Sequence, residues 1–275
     1  MGLITTTEFL DIGAADDRGV RRMPVGSRSV GGGRGSLFGG VGLAAGIIAL
    51  EDAAGKPAVW ATGQYVSTLF PPAALDLDVT LSAVGRTVTQ GRVVGTNDGN
   101  EIITVVGAVG RRREPARVIG ETMPAVDAPE DCVDVGREFD GPTIHDHVEV
   151  RVARGTFGFT GVGELSGDNR TVLWTRFEGV GLDAAALAIM ADYSPSALGN
   201  AIGGIAHLSS LDNTIRFGDL PTADDATDDW IMLDTRVEFV GNGFSHSTCV
   251  MWSRTGDVLA VASQSATVVI LDDGA

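Results

Sequence analysis

The stretch Leu182-Asp-Ala-Ala-Ala-Leu-Ala-Ile-Met-Ala-Asp-Tyr-Ser-Pro195 is apolar almost throughout and carries a carboxylate, Asp192, near its end. Alanine, leucine and methionine lose little entropy in a helix, so the stretch predicts a buried helix. Pro195 disfavours the helical conformation in the residue before it, which places Asp192 near the helix end. A buried carboxylate is costly unless it is hydrogen-bonded or protonated, and a helix C-terminus raises its proton affinity further. Two interpretations follow: Asp192 caps a turn, or it acts as a general base.

A second buried helix is predicted over residues 41–52, which are apolar on nearly every side. The glycine-rich run Gly31-Gly-Gly-Arg-Gly-Ser-Leu-Phe-Gly-Gly40 leads into it. Glycines before a helix can leave its first N–H groups open to an anion or to a polarised carbonyl. The run has no Gly-Lys-Ser/Thr and does not follow a strand, so it is a weak nucleotide-binding signature.

Segments that alternate as strands do surround both helices. After the first helix they are residues 59–69, 75–84, 87–95 and 101–109. Around the second helix they are residues 148–159, 171–178, 207–217, 230–240, 244–253 and 258–271. Residues 1–30 predict an edge strand or an arm with loops.

The two halves of the chain repeat one pattern. Gly85 and Gly99 are spaced nearly as Gly241 and Gly256 are, and an apolar strand follows each pair. Similar order and spacing in two parts of a chain indicate a duplicated unit. A helix followed by an antiparallel meander is typical of an α+β fold, so we expect that unit twice.

A segment rich in proline and acidic residues, with little periodicity, separates the halves. It predicts a domain over residues 1–112, a linker over 113–146 and a second domain over 147–275. The arginines at 111–113 are either a solvated charge run at the domain exit or a site for phosphates.

Composition limits the classes of function. The chain has 275 residues and a net charge of −16, which argues against nucleic acid or an anionic membrane as the main partner. Its two cysteines are too few for a disulfide framework, and the N-terminus does not resemble a signal peptide. No run of about 18 apolar residues predicts a membrane span. We therefore expect a cytoplasmic globular protein.

Several short motifs follow one another in a characteristic order: Phe38-Gly39-Gly40, Gly85-Arg86-Thr87, Leu173-Trp174-Thr175-Arg176, Ala191-Asp192-Tyr193, Ser210-Leu211-Asp212-Asn213, Asp229-Trp230 and, after Gly256-Asp257, Val261-Ala262-Ser263-Gln264. This order is similar to that of acyl-CoA thioesterase II (TesB-like) proteins, over roughly residues 30–270. The shared order carries the resemblance rather than any single motif. It implies two tandem hotdog domains, each an antiparallel sheet wrapped around a central helix.

The resemblance also implies a catalytic Asp on the second hotdog helix, a Ser or Thr on the next strand and a Gln near the C-terminus. These positions fall on Asp192, Ser210 and Gln264. The implied reaction is hydrolysis of an acyl-CoA thioester to a carboxylic acid and free coenzyme A by positioned water, without a metal or a redox cofactor. We expect the thioester oxygen at the N–H groups near Gly39 and Gly40.

Three positions depart from the family pattern. Val41 stands where the family often has Gln, and Asn213 stands where it often has His. The strand after the first helix, often rich in His and Ser, here contains residues 61–65 (Ala-Thr-Gly-Gln-Tyr). These departures bear on the substrate class more than on the chemistry.

Two other functions remain open at this stage. One is a hotdog hydratase or dehydratase of enoyl or hydroxyacyl thioesters, whose Asn-Pro-Leu-His type motif is missing here. The other is an acyl-CoA-binding protein without catalysis. Further self-association through sheet edges to a homo-oligomer is compatible with any of the three.

Other reactive side chains have simpler interpretations. His145 and His147 suit a metal, but without further ligands nearby an exposed linker end is the better interpretation. Ser245 and His246 lack the Gly-x-Ser-x-Gly elbow that would support a catalytic triad. Cys249, within an apolar strand, is predicted to be a buried small hydrophobe.

Overall fold

The computed structural model describes residues 2–31, 35–111, 118–136, 141–204, 206–221 and 226–270. Within them the helices are α1 (Thr6–Phe9), α2 (Gly39–Ala54), α3 (Ala184–Ala191) and α4 (Ala197–Ile202), with 3-10 turns at Pro129–Asp131, Ile144–Asp146 and Ser194–Ser196. The strands of the first half are β1 (Arg21–Val25), β2 (Ala58–Tyr65), β3 (Ala73–Val84), β4 (Val88–Asn97) and β5 (Asn100–Gly110). Those that follow are β6 (Val133–Asp134), β7 (Val148–Arg154), β8 (Thr156–Phe157), β9 (Val162–Gly163), β10 (Arg170–Phe177), β11 (Ala206–Phe217), β12 (Ile231–Gly241), β13 (Phe244–Ser253) and β14 (Val258–Ile270).

Twelve of the described strands form one antiparallel sheet in the order β1-β3-β4-β5-β2-β11-β14-β13-β12-β10-β7-β6. The first five strands of that order come from the first half of the chain and the others from the second. The halves join where β2 pairs with β11, with Thr62 opposite Thr214. The sheet is therefore continuous across the duplication.

Helix α2 lies inside the first half because its sequence leaves no polar face. Its residues from Gly40 to Leu50 are buried, and it packs on β2, β3, β4 and β5. It ends at Gly55, which adopts φ 61° in the left-handed region that closes many helices.

Helix α3 occupies the same position in the second half, packed against β10 and β11. All eight of its residues are buried. Asp183 caps its N-terminus by accepting a hydrogen bond from the Ala186 N–H at 2.7 Å. The two helices contact each other, and Gly40 at the start of α2 lies against Ala188 and Ile189 of α3.

The structure confirms three predictions from the sequence: the α+β arrangement, the two buried helices and the order of the long strands. The predicted arm at the N-terminus contains the edge strand β1, preceded by the short helix α1, which was not predicted. The strand predicted over residues 148–159 is divided into β7 and β8, because Gly155 turns the chain with φ 78°.

The predicted linker is less irregular than its sequence indicates. It contributes β6 to the sheet edge, and the Trp174 indole donates to the Asp127 carbonyl oxygen at 3.0 Å. Met123 and Val126 pack against the apolar cluster around Trp174. These contacts hold the segment in place although its sequence has no strand or helix periodicity. The domain boundaries at 112 and 147 stay predictions.

No helix within the described ranges is long and apolar enough to cross a membrane.

Candidate active site

Asp192 ends helix α3 as its C-cap residue and is only 6% exposed. Its Oδ1 accepts a hydrogen bond from Gln264 Nε2 at 2.8 Å, and its Oδ2 accepts one from the Gly40 N–H at 2.7 Å. The carboxylate therefore lies between the C-terminus of α3 and the N-terminus of α2. The partial positive charge of the α2 N-terminus favours an anion there.

The sheet places the other two predicted residues beside it. Gln264 on β14 is 4% exposed, and its Nε2 also donates to Ser210 Oγ on β11 at 2.8 Å. A register shift between Ser210 and Asp212 lies next to this contact. The structure thus brings Asp192, Ser210 and Gln264 together as one hydrogen-bonded group.

Ser194 is a member of this group that the sequence interpretation passed over. It lies in the 3-10 turn after α3, is 3% exposed, and its Oγ donates to Gln264 Oε1 at 3.4 Å. With Ser194 accounted for, both ends of the Gln264 carboxamide are held. Its position directly before Pro195 was a local signal for a turn near Asp192, but not for a contact with Gln264.

Burial raises the pKa of Asp192 from 3.8 to about 6, and the hydrogen bonds from Gln264 and Gly40, together with the nearby Asn213 amide, limit that rise. At neutral pH the carboxyl group is mostly ionised and can still accept a proton in a reaction. That combination suits a general base that works near neutral pH.

Gly40 is essential to the close approach of the two helices. A Cβ at this position would lie 2.9 Å from the Ala188 carbonyl oxygen and 2.9 Å from the Ile189 Cα. Its N–H donates a hydrogen bond to Asp192 Oδ2 and so positions the carboxylate. The expected contact of Gly39 and Gly40 with the thioester oxygen stays a prediction.

Tyr65 and Asn213, two positions where the sequence departs from the family pattern, lie beside Asp192. Burial raises the pKa of both Asp192 and Tyr65, and the nearby Asn213 amide lowers each of them in part. Neither the Asn213 carboxamide nor the Tyr65 hydroxyl has a hydrogen-bond partner in the described part of the chain. The third departure, Val41, is buried in α2.

A small cavity of about 10 Å³ lies against Gln264. Its walls come from the 3-10 turn, from α4 and from the inner faces of three strands. Its lining includes Ser194, Leu198, Val237, Ser245 and Ala266.

His145 is buried rather than on an exposed linker end, so that prediction is wrong. Its Nε2 lies 2.9 Å from the Gly31 carbonyl oxygen, and its Nδ1 lies 2.6 Å from the Tyr193 hydroxyl. A carbonyl only accepts, so Nε2 donates and Nδ1 accepts the tyrosine proton. The neighbour His147 contacts the Phe9 ring edge-on at 4.9 Å. Nowhere in the described ranges do three or more His, Cys, Asp or Glu residues form a group that could hold a metal.

The other reactive side chains named from the sequence form no second site within the described residues. Ser245 lines the cavity, while His246 contacts Ser265 Oγ at 3.1 Å on the exposed side of the sheet. Cys249 is 1% exposed, and burial raises its pKa to about 12, which confirms its prediction as a buried small side chain. Of the three arginines considered for phosphates, Arg111 is exposed and the other two lie outside the described residues.

A family model for the acyl-CoA thioesterase C-terminal domain matches residues 129–268. A solved structure of a proposed thioesterase from Novosphingobium aromaticivorans is 30% identical, with 93% of this chain and 97% of that one covered at a TM-score of 0.80. The chain belongs to the acyl-CoA thioesterase family. The family predicted from the order of the sequence motifs is thereby confirmed, and this family member is a thioester hydrolase.

More distant structures support the fold of the thioesterase. A hot dog fold protein of unknown function from Alicyclobacillus acidocaldarius is 20% identical, covers 98% of this chain and 100% of its own, and has a TM-score of 0.83. The acyl-CoA thioesterase II TesB2 of Mycobacterium marinum is 18% identical, with 97% and 98% covered and a TM-score of 0.73. The predicted hotdog architecture is confirmed. A search of curated proteins gave no match.

Proposed function

We propose that the protein hydrolyses acyl-CoA thioesters to a carboxylic acid and free coenzyme A, with Asp192 as the general base. The observation that carries the proposal is the arrangement of Asp192. Its buried carboxylate, with a pKa of about 6, shares Gln264 Nε2 with the Ser210 hydroxyl. Acyl-CoA as substrate and the roles of these residues rest on this geometry together with the family.

In the proposed reaction a water molecule attacks the thioester carbonyl carbon while Asp192 takes one of its protons. A C–O bond forms, and the carbonyl electron pair moves to the oxygen. When that pair returns, the C–S bond breaks, and the coenzyme A thiolate receives the proton that Asp192 holds. No covalent enzyme intermediate is needed, because positioning of the water supplies much of the acceleration.

Ser210 and Gln264 orient this water rather than attack the substrate. Gln264 lies between the Ser210 hydroxyl and the Asp192 carboxylate, and within the described residues no hydrogen bond joins Ser210 to a base. A serine nucleophile needs a base in direct hydrogen-bond contact. The acyl group would lie beside Gln264, where apolar and small side chains line much of a cavity of about 10 Å³; that is room for one water molecule, so the walls must move apart to admit an acyl chain.

Replacing Asp192 tests the assignment. Asp192→Asn removes the proton acceptor but keeps the side-chain size, so we expect kcat to fall by about 100- to 10,000-fold, with a smaller change in KM. Release of the coenzyme A thiol from a series of acyl-CoA esters, from acetyl to palmitoyl and including aromatic ones, is the measurement. Folding is checked by circular dichroism.

Asp52→Asn is the matched control. Asp52 lies near the end of α2, the counterpart of α3 in the first half, and pairs with Arg21 at 3.3 Å with its side chain 56% exposed. The Arg21 side chain is 11% exposed, so the pair is half-exposed; a pair of this kind adds little stability, and the variant should keep wild-type activity. Full activity of Asp192→Asn on every ester that the wild type cleaves would refute the role of Asp192.

The same assays separate the alternatives. A hydratase would add water to crotonyl-CoA, which mass spectrometry detects as a gain of one water without thiol release. A binding protein without catalysis would bind acyl-CoA yet release no thiol. The mechanism assigns no step to a metal or redox cofactor; a cytoplasmic location and self-association stay predictions.

A further inference from the structure

His145 uses both nitrogens of its imidazole ring, although it lies outside the hydrogen-bonded group around Asp192. It is 8% exposed in the 3-10 turn Ile144–Asp146. Its Nε2 donates to the Gly31 carbonyl oxygen at 2.9 Å, and its Nδ1 accepts the proton of the Tyr193 hydroxyl at 2.6 Å. A neutral imidazole offers one donor and one acceptor, so the ring bridges two segments that are distant in the sequence.

Both segments lead directly into the candidate active site. Tyr193 follows Asp192 at the end of α3, and Phe38, the N-cap residue of α2, lies shortly before Gly40. The centroid of the Phe38 ring is 5.3 Å from that of the His145 ring and 5.7 Å from that of the Tyr193 ring. The three rings therefore pack together where the end of α3 meets the start of α2.

The turn that carries His145 is fixed to the first half of the chain. The Ile144 N–H donates to the Val30 carbonyl oxygen at 2.8 Å, and Ile144 is fully buried. The Thr143 hydroxyl accepts the His145 N–H at 3.2 Å, and the Asp146 carboxylate accepts the Thr143 N–H at 2.8 Å. Because the backbone around His145 is held in this way, the ring is a fixed point to which Tyr193 is tied.

Given the proposed function, we propose that His145 and Tyr193 are positioning residues for the general base. Their hydrogen bond ties the residue after Asp192 to the segment that leads into α2, and this keeps the Asp192 carboxylate on the Gly40 N–H, 2.7 Å away. Neither side chain takes part in the bonds that form and break. Displacement of a catalytic group by about 1 Å can cost about 100-fold in rate, so a hydrogen bond remote from the chemistry affects it.

The protonation states of the two residues suit this role. Burial lowers the pKa of His145 below its ordinary value, against the opposite effects of the Gly31 carbonyl and the Asp146 carboxylate. Burial, and then the Asp192 and Asp146 carboxylates, raise the pKa of Tyr193 well above its ordinary value. At neutral pH the ring is therefore uncharged and can accept, while the hydroxyl keeps the proton that it donates.

Three variants test the bridge through activity. Tyr193→Phe removes the hydroxyl but keeps the ring against Phe38, and His145→Leu removes both hydrogen bonds of the imidazole. We expect each to lower kcat by about 10- to 100-fold with little change in KM. The double variant should be no slower than the slower single variant, because both residues act through one hydrogen bond. His145→Asn, whose amide oxygen can replace Nδ1 as acceptor, should restore part of the kcat lost in His145→Leu.

His147→Leu is the matched control. This second histidine of the segment is half-buried and contacts the Phe9 ring edge-on, with 4.9 Å between the ring centroids. Its replacement also removes an imidazole from a packed position, but we expect wild-type kcat. The comparison separates loss of the bridge from general disturbance of the segment.

Nuclear magnetic resonance of the Gly40 amide tests the inference without turnover. In the wild type its proton shift should follow the ionisation of Asp192, with a midpoint of about 6, and this titration should disappear in Asp192→Asn. In Tyr193→Phe and His145→Leu the Gly40 amide proton should move upfield and exchange faster with solvent than the other amides of α2. A merely structural role would speed exchange throughout α2, since global unfolding opens every amide.

The outcomes are distinguishable. A kcat of Tyr193→Phe within about twofold of wild type overturns the positioning role, since displacement of the base costs far more. An unchanged Gly40 amide in both variants also overturns it, even where kcat falls. If His145→Leu does not fold, Tyr193→Phe, which loses a single hydroxyl, decides the question. Absence of thiol release from every ester by the wild type would overturn the proposed function, while the Gly40 amide would still test whether the bridge positions Asp192.

Discussion

At the scale of single residues, the Asp192 carboxylate is held by neutral donors. In the described part of the chain, the groups that lower its pKa are the Gln264 amide, the Gly40 N–H and the Asn213 amide, and none is a cation. A cationic partner would have kept the pKa low and the carboxylate a poor base. Because burial outweighs these donors, Asp192 remains basic enough to accept a proton from water near neutral pH.

Removing one of these donors should shift the pH dependence of activity. In the wild type we expect kcat/KM to rise with pH through a midpoint of about 6, as Asp192 ionises. Gln264→Leu removes a hydrogen bond to the ionised form, so the midpoint should move upward. Ser194→Ala, which loses only a contact to Gln264 Oε1, should move it little. Initial rates across the pH range measure the shift; a midpoint unchanged in Gln264→Leu would contradict this account.

The residues predicted from the sequence were those marked by motif order. Asp192, Ser210 and Gln264 lie in recognisable motifs, and the structure brings them together. Tyr65 and Asn213 were noted only as departures, because their proximity depends on the pairing of β2 with β11. No local pattern encodes which strands meet between two halves of a chain.

At the scale of elements, the break after α3 shapes the cavity. Helix α3 ends at Asp192. A 3-10 turn that contains Pro195 follows, and the separate helix α4 begins directly after this turn. Pro195 lacks an N–H and so cannot extend α3. The apolar run predicted one helix end, but the sequence did not predict α4. Its burial depends on contacts with β8, β10 and β12, strands that are distant from one another in the sequence and come together only in the folded chain.

Shortening a side chain of α4 should alter the preferred acyl length. Leu198 is 2% exposed and lines the cavity beside Gln264. Leu198→Ala removes about three methylene-sized groups from the wall, so we expect kcat/KM to shift toward longer acyl chains. The stability should fall by about 2–5 kcal/mol, as for other buried leucines. Ile202→Ala, on the same helix but outside the cavity lining, is the control. An unchanged profile from acetyl- to palmitoyl-CoA would place the acyl group elsewhere.

At the scale of the whole molecule, the two halves contribute different parts to one site. In the candidate site, the first half supplies Gly40, whose N–H donates a hydrogen bond to Asp192, and the second half supplies Asp192 and Gln264. The duplicated pattern was visible in the sequence because both halves bury an apolar helix against alternating strands. The order of strands across β2 and β11 was not, since register between halves is set by packing rather than by periodicity.

The buried carboxylate should also make the stability of the whole molecule depend on pH. Folding raises the pKa of Asp192 from 3.8 to about 6, so its protonated form is favoured in the folded state. Its contribution to stability is fully present below about pH 3.8 and is lost as pH rises through about 6, up to a total of about 3 kcal/mol. The Asp192→Asn variant has no titrating group at this position. We therefore expect the unfolding free energy of the wild type, relative to the variant, to fall between about pH 4 and pH 7. Urea unfolding of both proteins at each pH measures this difference, and the other titrating groups cancel in the comparison. A difference that stays constant with pH would mean that Asp192 titrates as an ordinary exposed carboxyl group.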